Sequence, residues 1–179
     1  MSAATWSVRR LSAPDDQQID ELADVLIDCV EGGASVSFMH PLSRDRAVAF
    51  WRGVARGAVA GERALLVADD AQGLCGTVQL LLAQPENQPH RAELAKMLVH
   101  RRARRQGLGA ALMRAAEATA RECGKTLLVL DTASPDAERL YERMGWVRVG
   151  AIPGYALLPQ GGLCATTLFY RELGAGDVR

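Results

Sequence analysis

The most informative stretch for the fold of this chain is Arg104-Arg105-Gln106-Gly107-Leu108-Gly109. An apolar, strand-like run over residues 92–99 precedes it, and an amphipathic helical pattern follows it. A helix that begins at these glycines leaves its first backbone N–H groups unpaired, and the helix dipole adds about half a positive charge there. Because Gly107 and Gly109 lack the Cβ atoms that would hold a ligand off the backbone, the stretch predicts a phosphate or pyrophosphate site.

Three known phosphate-binding patterns can be compared with this stretch. The P-loop fails, since Gly124, Lys125 and Thr126 supply only its last three positions and its first glycine falls at Thr119. The dinucleotide fingerprint G-x-G-x-x-G is closer, but its third glycine is Leu112, where that fold needs tight helix–sheet packing. The pattern [RQ]-x-x-G-x-[GA] matches at every position from 104 to 109.

This matching pattern resembles the coenzyme A pyrophosphate loop of the GNAT superfamily of acyltransferases. The resemblance implies that acetyl-CoA is the cosubstrate, held by one contiguous set of residues: Arg104, Arg105, Gln106, Gly107, Leu108, Gly109 and Ala110. In that family a bulge in the preceding strand frees backbone N–H groups for the acetyl and pantetheine portions. Here the bulge maps to Met97, Leu98 and Val99.

Composition favours one ordinary globular domain, predicted to span residues 1–179, with 49% apolar residues. Lys+Arg and Asp+Glu number 21 each, so no overall field attracts nucleic acid or a membrane, and neither partner is expected. The basic charge is local, at Arg101, Arg102, Arg104 and Arg105. A solvated turn or a nucleic-acid patch would also fit these arginines, but the adjoining glycines favour a small polyanion.

Motifs for metals, secretion and membrane insertion are not recognised. The four cysteines stand more than 40 residues apart and the three histidines form no ligand cluster, so no metal site is expected. The N-terminal residues do not resemble a signal peptide, and no run of about 20 apolar residues occurs. A cytoplasmic location is therefore expected.

The pattern of apolar residues predicts the element order β-α-α-β-β-β-α-β-α-β-β. The predicted strands are residues 7–11, 65–68, 74–83, 91–99, 126–131, 146–152 and 163–173, and the predicted helices are about 15–31, 43–60, 107–123 and 135–144. This order resembles the GNAT fold, which implies an α/β (α+β) domain with a mixed, mostly antiparallel sheet of six or seven strands and about four helices. The resemblance places the acyl-CoA core at about 91–145 and the acceptor-pocket segments at about 32–42 and 150–163.

Tyr141 is the predicted general acid. It lies in Ala137-Glu138-Arg139-Leu140-Tyr141-Glu142-Arg143-Met144-Gly145-Trp146, which is similar to the family segment A-x-x-L-Y-x-x-x-G-[FW]. In that segment the tyrosine hydroxyl points at the coenzyme A sulfur, and a phenol with a pKa of about 10 suits an alkyl thiolate. The alternative is a core aromatic residue whose hydroxyl is merely satisfied.

Two carboxylates are candidates for the general base. Glu93 precedes Arg104 by 11 residues, the spacing of the strand glutamate in histone-type relatives, and would act through a water. Asp131 ends an otherwise apolar strand, where open α/β sheets place ligand groups, and would bind or deprotonate the acceptor's ammonium. The structural alternatives are a solvent-facing glutamate and an Asx-turn, respectively.

The acceptor pocket is predicted from a further resemblance. The loop over residues 32–39, with an exposed tip at Phe38 and Met39, looks like the corresponding loop in tabtoxin-resistance acetyltransferases. The segments Asp131-Thr132 and Pro153-Gly154-Tyr155 look like that subfamily too. The resemblance gives Ser35, Phe38 and Tyr155 as pocket residues and implies a small amino-acid-like amine or a β-lactam toxin as acceptor. Ordinary loop packing is the alternative. A homodimer is a further expectation. The rival functions are a non-catalytic acyl-CoA sensor and a dinucleotide-binding oxidoreductase.

Overall fold

The computed structural model describes residues 6–174, and within that range seven strands form one sheet. The strands are β1 (Ser7–Arg10), β2 (Arg63–Asp70), β3 (Gly73–Leu81), β4 (Arg91–Val99), β5 (Leu127–Thr132), β6 (Val147–Leu157) and β7 (Leu163–Glu172). The helices are α1 (Asp16–Glu31), α2 (Arg44–Val59), α3 (Leu108–Glu122) and α4 (Pro135–Arg143), with a 3-10 turn at Arg101–Ala103. The predicted fold class is confirmed. The N-terminal stretch of the signal-peptide comparison lies largely outside the described residues, as do both ends of the predicted 1–179 domain.

Three of these helices begin at a polar residue whose side chain caps the first turn. Asp15 accepts a hydrogen bond from the backbone N–H of Gln18, while Ser43 and Ser134 cap α2 and α4 in the same way. Helix α3 differs, because its N-cap is Gly107, which has no side chain to offer. Its first turn therefore keeps donors that the other helices satisfy internally.

The sheet has the strand order β1-β2-β3-β4-β5-β7-β6, and its only parallel pair in the described residues is β4 with β5. That pairing covers three residues on each strand and ends at Glu93 and Val129. The remaining parts of β4 and β5 leave a fork in the middle of the sheet. Because carboxyl ends of parallel strands open towards the same edge, this fork is the natural place for a ligand.

Hydrophobic cores lie on both faces of the sheet. Strand β2 shows the alternation: Leu66 packs into the core beside α3, whereas Leu65 and Val67 pack into the core beside α1 and α2. Trp51 of α2 is fully buried in the second core. Because the sheet is packed on two faces, its central strands are rich in apolar residues on both sides, and the fork lies between the helical layers.

The last hairpin differs from the prediction. A loop containing Pro153 was expected after a strand over 146–152, since proline usually ends a strand. Instead β6 continues to Leu157, and only residues 158–162 connect it to β7. The prediction was wrong because β6 is an edge strand, where proline's missing N–H removes no necessary ladder bond. The pairing of β6 with β7 is irregular between Ile152 and Ala156, around the proline.

Candidate active site

Strand β4 carries a β-bulge where it enters the fork. While β3 advances two residues, β4 advances three, from Ala95 to Leu98. Within the bulge Lys96 has a φ of +49°, in the left-handed region that few non-glycine residues adopt. The extra residue changes which face the later side chains occupy, so Leu94 packs beside α3 while Leu98 packs beside α1 and α2. The bulge expected from the family resemblance is present.

The N-terminus of α3 is an open backbone cradle. Gly107 has a φ of +80°, and a Cβ atom built there would have no neighbouring heavy atom within 4 Å. It makes no side-chain cap, and the first helical hydrogen bond joins the N–H of Ala111 to the carbonyl of Gly107. The N–H groups before Ala111 therefore face open space with the positive end of the dipole. This geometry fits the diphosphate of a coenzyme A molecule.

Gly109 also allows close packing against α4. A Cβ atom there would lie 3.1 Å from Cδ2 of Leu140, so the missing side chain makes room for α4. The same position lies 3.8 Å from the Cε atom of Met97. The predicted contact of Gly109 with the coenzyme stays a prediction. Gly109 joins the cradle to the bulge in β4.

Three arginines in and just before the motif form ion pairs within the protein. Arg101 donates to the carboxylate of Asp28 through its backbone N–H (2.9 Å) and its guanidinium, and Arg104 lies 3.9 Å from the same carboxylate. Arg102 pairs with Asp70 at 2.9 Å and holds the pKa of that carboxyl below its usual range. Arg101 and Arg102 are therefore paired within the protein, and the role of Arg104 in coenzyme binding stays a prediction. The charges of Arg101 and Arg102 fasten the turn to α1 and to the β2–β3 hairpin.

A cavity of about 430 Å³ opens at the fork between β4 and β5. Its wall combines five segments: the α1–α2 loop, β4, the end of β5, α4 and the β6–β7 hairpin. It brings together all three predicted catalytic residues, one predicted coenzyme-binding residue and all three predicted acceptor residues: Glu93, Asp131, Tyr141, Met97, Ser35, Phe38 and Tyr155. Its volume is in the range typical of small-molecule sites.

Other residues predicted to bind the coenzyme lie outside this cavity. Leu98 is fully buried in the core beside α1 and α2. The carbonyl of Val99 accepts a hydrogen bond from Nε of Arg104 at 3.0 Å. Arg105 is exposed with a φ of +60°, and the Gln106 side chain donates to a backbone carbonyl of the preceding turn. What this segment presents to a ligand is mainly its backbone.

Tyr141 lies at the base of the cavity and is only 4% exposed. Its ring packs against Phe169, with ring centres 5.7 Å apart, and against Trp146 at 6.0 Å. Burial, and then the negative charge of Asp131, raise the pKa of the Tyr141 hydroxyl well above its usual range. The phenol is therefore a weaker acid than expected from sequence and keeps its proton until a strong base forms beside it.

The two candidate bases occupy opposite arms of the fork. Glu93 is half-buried at the last paired position of β4, and Asp131 is exposed near the end of β5. Thr166 of β7 donates a hydrogen bond from Oγ1 to Oδ2 of Asp131 at 2.6 Å. One oxygen of Asp131 is thus oriented by the neighbouring strand, and its other oxygen can receive a proton or an ammonium group.

The sequence matches the acetyltransferase (GNAT) family over residues 14–146. This chain belongs to the GNAT family. Similar solved structures include a GNAT superfamily phosphinothricin acetyltransferase from Sinorhizobium meliloti in complex with AcCoA (17% identity, 98% of this chain and 92% of that chain, TM-score 0.78). A ribosomal-protein-alanine N-acetyltransferase from Brucella melitensis is also similar (18% identity, 93% and 99%, TM-score 0.77), as is an N-acetyltransferase from Staphylococcus aureus Mu50 (13% identity, 94% and 98%, TM-score 0.77). These structures share the GNAT fold with this chain.

The dinucleotide-binding alternative does not fit this GNAT fold. A dinucleotide fold needs a mostly parallel sheet, whereas one pair of strands here is parallel within the described residues. Leu112, at the position of the missing third glycine, is fully buried against β3. Here the glycine that allows close packing lies on the strand and not on the helix. A Cβ at Gly76 of β3 would lie 3.2 Å from the Leu112 side chain.

Sequence reasoning missed five polar residues that line the cavity of this GNAT protein: Ser37, Lys96, Thr132, Cys164 and Thr166. Thr166 and Cys164 carry no signal in sequence, because they reach the cavity only through the pairing of β7 with β5 and β6. Lys96 did carry a signal. Lysine occurs only twice in the sequence, and this one interrupts an otherwise apolar strand end. Phe38, expected as an exposed tip, packs edge-on against Phe50 with ring centres 5.2 Å apart.

Residues 6–174 show neither a membrane-spanning helix nor a metal cluster. No helix in this range has the length and apolar character required to cross a bilayer. No group of three or more His, Cys, Asp or Glu side chains in the same range is arranged to hold a metal ion. The absence of a metal and the cytoplasmic location both stay predictions.

Proposed function

We propose that this protein is an acetyl-CoA-dependent N-acetyltransferase that acts on the amino group of a small molecule, with direct attack in a ternary complex. The observation that carries the proposal is the cavity at the fork, where Tyr141, Glu93 and Asp131 meet beside the open end of α3. Met97 connects the two parts, because it lines the cavity and also approaches Gly109. Membership of the GNAT family supports the same reaction class.

The residues that would hold the coenzyme are those whose backbone is free. The N–H groups of Leu108, Gly109 and Ala110 would bind the diphosphate at the end of α3. The bulged backbone at Met97 would orient the acyl end toward the cavity. When bound, acetyl-CoA supplies an acyl group already activated as a thioester, so no side chain of this protein has to act as a nucleophile.

The side chains of the cavity would handle protons. An amine is protonated in neutral water and must lose a proton before it reacts, and the carboxylates of Asp131 and Glu93 are the cavity's acceptors. Asp131 is the better placed of the two, because Thr166 fixes one of its oxygens. Tyr141 holds a proton at its hydroxyl, and its raised pKa keeps that proton in place until a thiolate develops nearby.

Ser35, Phe38 and Tyr155 would shape the acceptor end of the cavity. They come from the α1–α2 loop and from β6, and both segments lie in the predicted acceptor ranges. The similar structures do not agree on the acceptor, since they include a phosphinothricin acetyltransferase and a ribosomal-protein-alanine N-acetyltransferase. The proposal of a small acceptor therefore rests on the cavity of about 430 Å³. The likeness to tabtoxin-resistance acetyltransferases stays a prediction.

The test combines ligand binding with turnover. Thermal shift is measured with acetyl-CoA, NADH and ATP, and thiol release from acetyl-CoA is then followed with a library of small amines. We expect stabilisation by acetyl-CoA alone and thiol release with a subset of amines. Stabilisation by acetyl-CoA without thiol release from any amine would identify the acyl-CoA sensor instead. No stabilisation by acetyl-CoA would overturn the proposal.

We also propose that this protein self-associates through its last hairpin. Exposed large apolar side chains gather on the β6–β7 hairpin and include Val149 (65% exposed), Tyr155 (56%) and Leu163 (70%). A second copy covering this hairpin would remove these side chains from water. Light scattering after size-exclusion chromatography distinguishes a dimer from a monomer, and a monomer at high protein concentration would contradict the proposal.

A further inference from the structure

The position of Lys96 in the cavity results from the bulge in β4. Its backbone has a φ of +49°, and its side chain lines the cavity. The ammonium group donates a hydrogen bond to Oγ of Ser37 at 3.0 Å and lies 5.8 Å from the centre of the Phe50 ring. A strained residue that turns a charge into a cavity is a feature that folding alone does not require.

The charges in the cavity are separated by sign. Glu93 and Asp131 supply two carboxylates on the arms of the fork, whereas the Lys96 ammonium is held against the α1–α2 loop. Among residues 6–174, neither carboxylate lies within 4.0 Å of the ammonium as an ion pair. The cavity therefore contains two carboxylates and an ammonium that is not ion-paired with either of them.

The ammonium also has unused capacity in its present surroundings. An ammonium group has three donors, and the structure shows one hydrogen bond from Lys96, to Ser37. Burial lowers the pKa of Lys96, and the charges of Asp131 and Glu93 only partly oppose that effect. An anion that accepts hydrogen bonds from the remaining donors of the ammonium and from the Ser37 hydroxyl would compensate for the lost solvation.

We propose that Lys96, together with Ser37, binds an anionic group of the acceptor, so that the preferred acceptors are zwitterions with both an amino group and a carboxylate or similar oxyanion. This inference rests on the proposed N-acetyltransferase function and adds the acceptor's charge. The acceptor's ammonium would face Asp131 and Glu93 while its anion faces Lys96. In this arrangement Lys96 determines specificity and takes no part in proton transfer.

Two simpler roles for Lys96 would produce different behaviour. If Lys96 only fastens the loop that carries Ser37, its loss should weaken turnover of every amine alike. If it only offsets the charge of the two carboxylates, its loss should favour cationic amines without an anionic group. The proposal alone predicts a loss confined to acceptors that carry the anion.

The experiment uses amine pairs that differ only in the anion: free amino acids and dipeptides, each against its carboxamide. The kcat/KM of each pair is compared for the native protein, Lys96→Met and Lys96→Arg. Comparing the acid-to-amide ratio between proteins cancels the different amine pKa values within a pair. Lys125→Met is the matched control, since Lys125 is the other lysine and donates to the carbonyls of Leu82 and Pro89, outside the cavity.

We expect Lys96→Met to lower the acid-to-amide ratio about tenfold or more, through the KM of the acid form. The amide form should change less than about twofold, as expected when an interaction made equally in ground and transition states is lost. Lys96→Arg should keep part of the preference, and Lys125→Met should keep all of it. Unchanged acetyl-CoA affinity would show that Lys96→Met is folded.

Several results would overturn the inference. An equal loss on acids and amides would reduce Lys96 to a loop fastener, and no preference for any acid in the native protein would remove the anion site. Both results leave the proposed acetyltransferase intact, because amines are still acetylated. If Lys96→Met fails to fold, Ser37→Ala replaces it, and an unchanged acid-to-amide ratio there has the same negative meaning. If no amine causes thiol release from acetyl-CoA, the proposed function is removed, and the inference with it.

Discussion

The cradle at the start of α3 and the cavity at the fork adjoin each other but are built in opposite ways. The cradle is made of consecutive residues that offer backbone N–H groups, while Arg101 and Arg102 in the turn before it are engaged by Asp28 and Asp70. The cavity is made of side chains from five separate segments and contains charges of both signs. A backbone site suits a cosubstrate that a whole family shares, and a side-chain site can change with the acceptor.

If chemistry belongs to the cavity side alone, Tyr141→Phe should produce the largest effect. Removing the hydroxyl should lower kcat about 100-fold or more, while the acetyl-CoA dissociation constant changes less than about twofold, because the ring still fills its place between Phe169 and Trp146. Steady-state kinetics and isothermal titration measure the two quantities. Tyr170→Phe, on β7 outside the cavity, is the control. Parallel losses of turnover and binding would mean that Tyr141 is structural.

The pH dependence should sharpen the assignment within the cavity. A base acts only when deprotonated, so kcat/KM should rise with pH through the base's pKa and then stay level. Because the pKa of Tyr141 is raised, its hydroxyl should stay protonated in alkaline solution. We therefore expect no decrease in kcat as the pH is raised to about 10. Asp131→Asn should remove the rising limb and lower activity near pH 7 by about 10–100-fold.

Glu93→Gln is the matched variant for that profile. It should leave the rising limb in place if Asp131 is the base. The opposite pattern would transfer the role to Glu93, and an unchanged limb in both variants would exclude both carboxylates.

On the cradle side, Gly107→Ala should affect binding rather than turnover. Alanine at a φ of +80° is strained by about 1–2 kcal/mol, and its Cβ would stand in the space intended for the diphosphate. We expect acetyl-CoA to bind about tenfold more weakly, with kcat at saturation nearly unchanged. Gly124→Ala has a similar backbone (φ +71°) and equally free surroundings just beyond the other end of α3. Gly124→Ala should lower the free energy of unfolding by the same amount without weakening acetyl-CoA binding. Equal acetyl-CoA affinity in the two variants would contradict the proposed diphosphate site at Gly107.

The smallest expected effect is on stability and tests whether the arginine turn before the motif serves the fold. Asp28→Asn should lower the free energy of unfolding by about 2 kcal/mol, because its buried carboxylate holds Arg101. This corresponds to a melting temperature about 4–8 °C lower for a chain of this size. Asp24→Asn, whose pair with Arg44 is exposed, should change stability by less than about 0.5 kcal/mol. Equal melting temperatures for both variants would contradict the structural role.

The parts of the fold predicted well are those governed by neighbours in sequence. Ser134 and Pro135 mark the start of α4, and β4 has the predicted bounds. The parts predicted poorly depend on distant packing. Pro153 continues a strand because that strand is at the sheet edge, and Leu140 packs close to Gly109. Neither neighbour is visible in the local pattern.

The element order, the open glycine at the start of α3 and three ionisable groups of the cavity (Glu93, Asp131 and Tyr141) follow from sequence alone, because caps, periodicity and a short motif act over a few residues. The partners of the arginines and the position of Lys96 in the cavity are visible only in the folded structure. The reason is that an ion pair or a bulge depends on segments brought together from distant parts of the chain. Asp28 and Arg101 are 73 positions apart, yet their contact fastens the turn before α3 to α1.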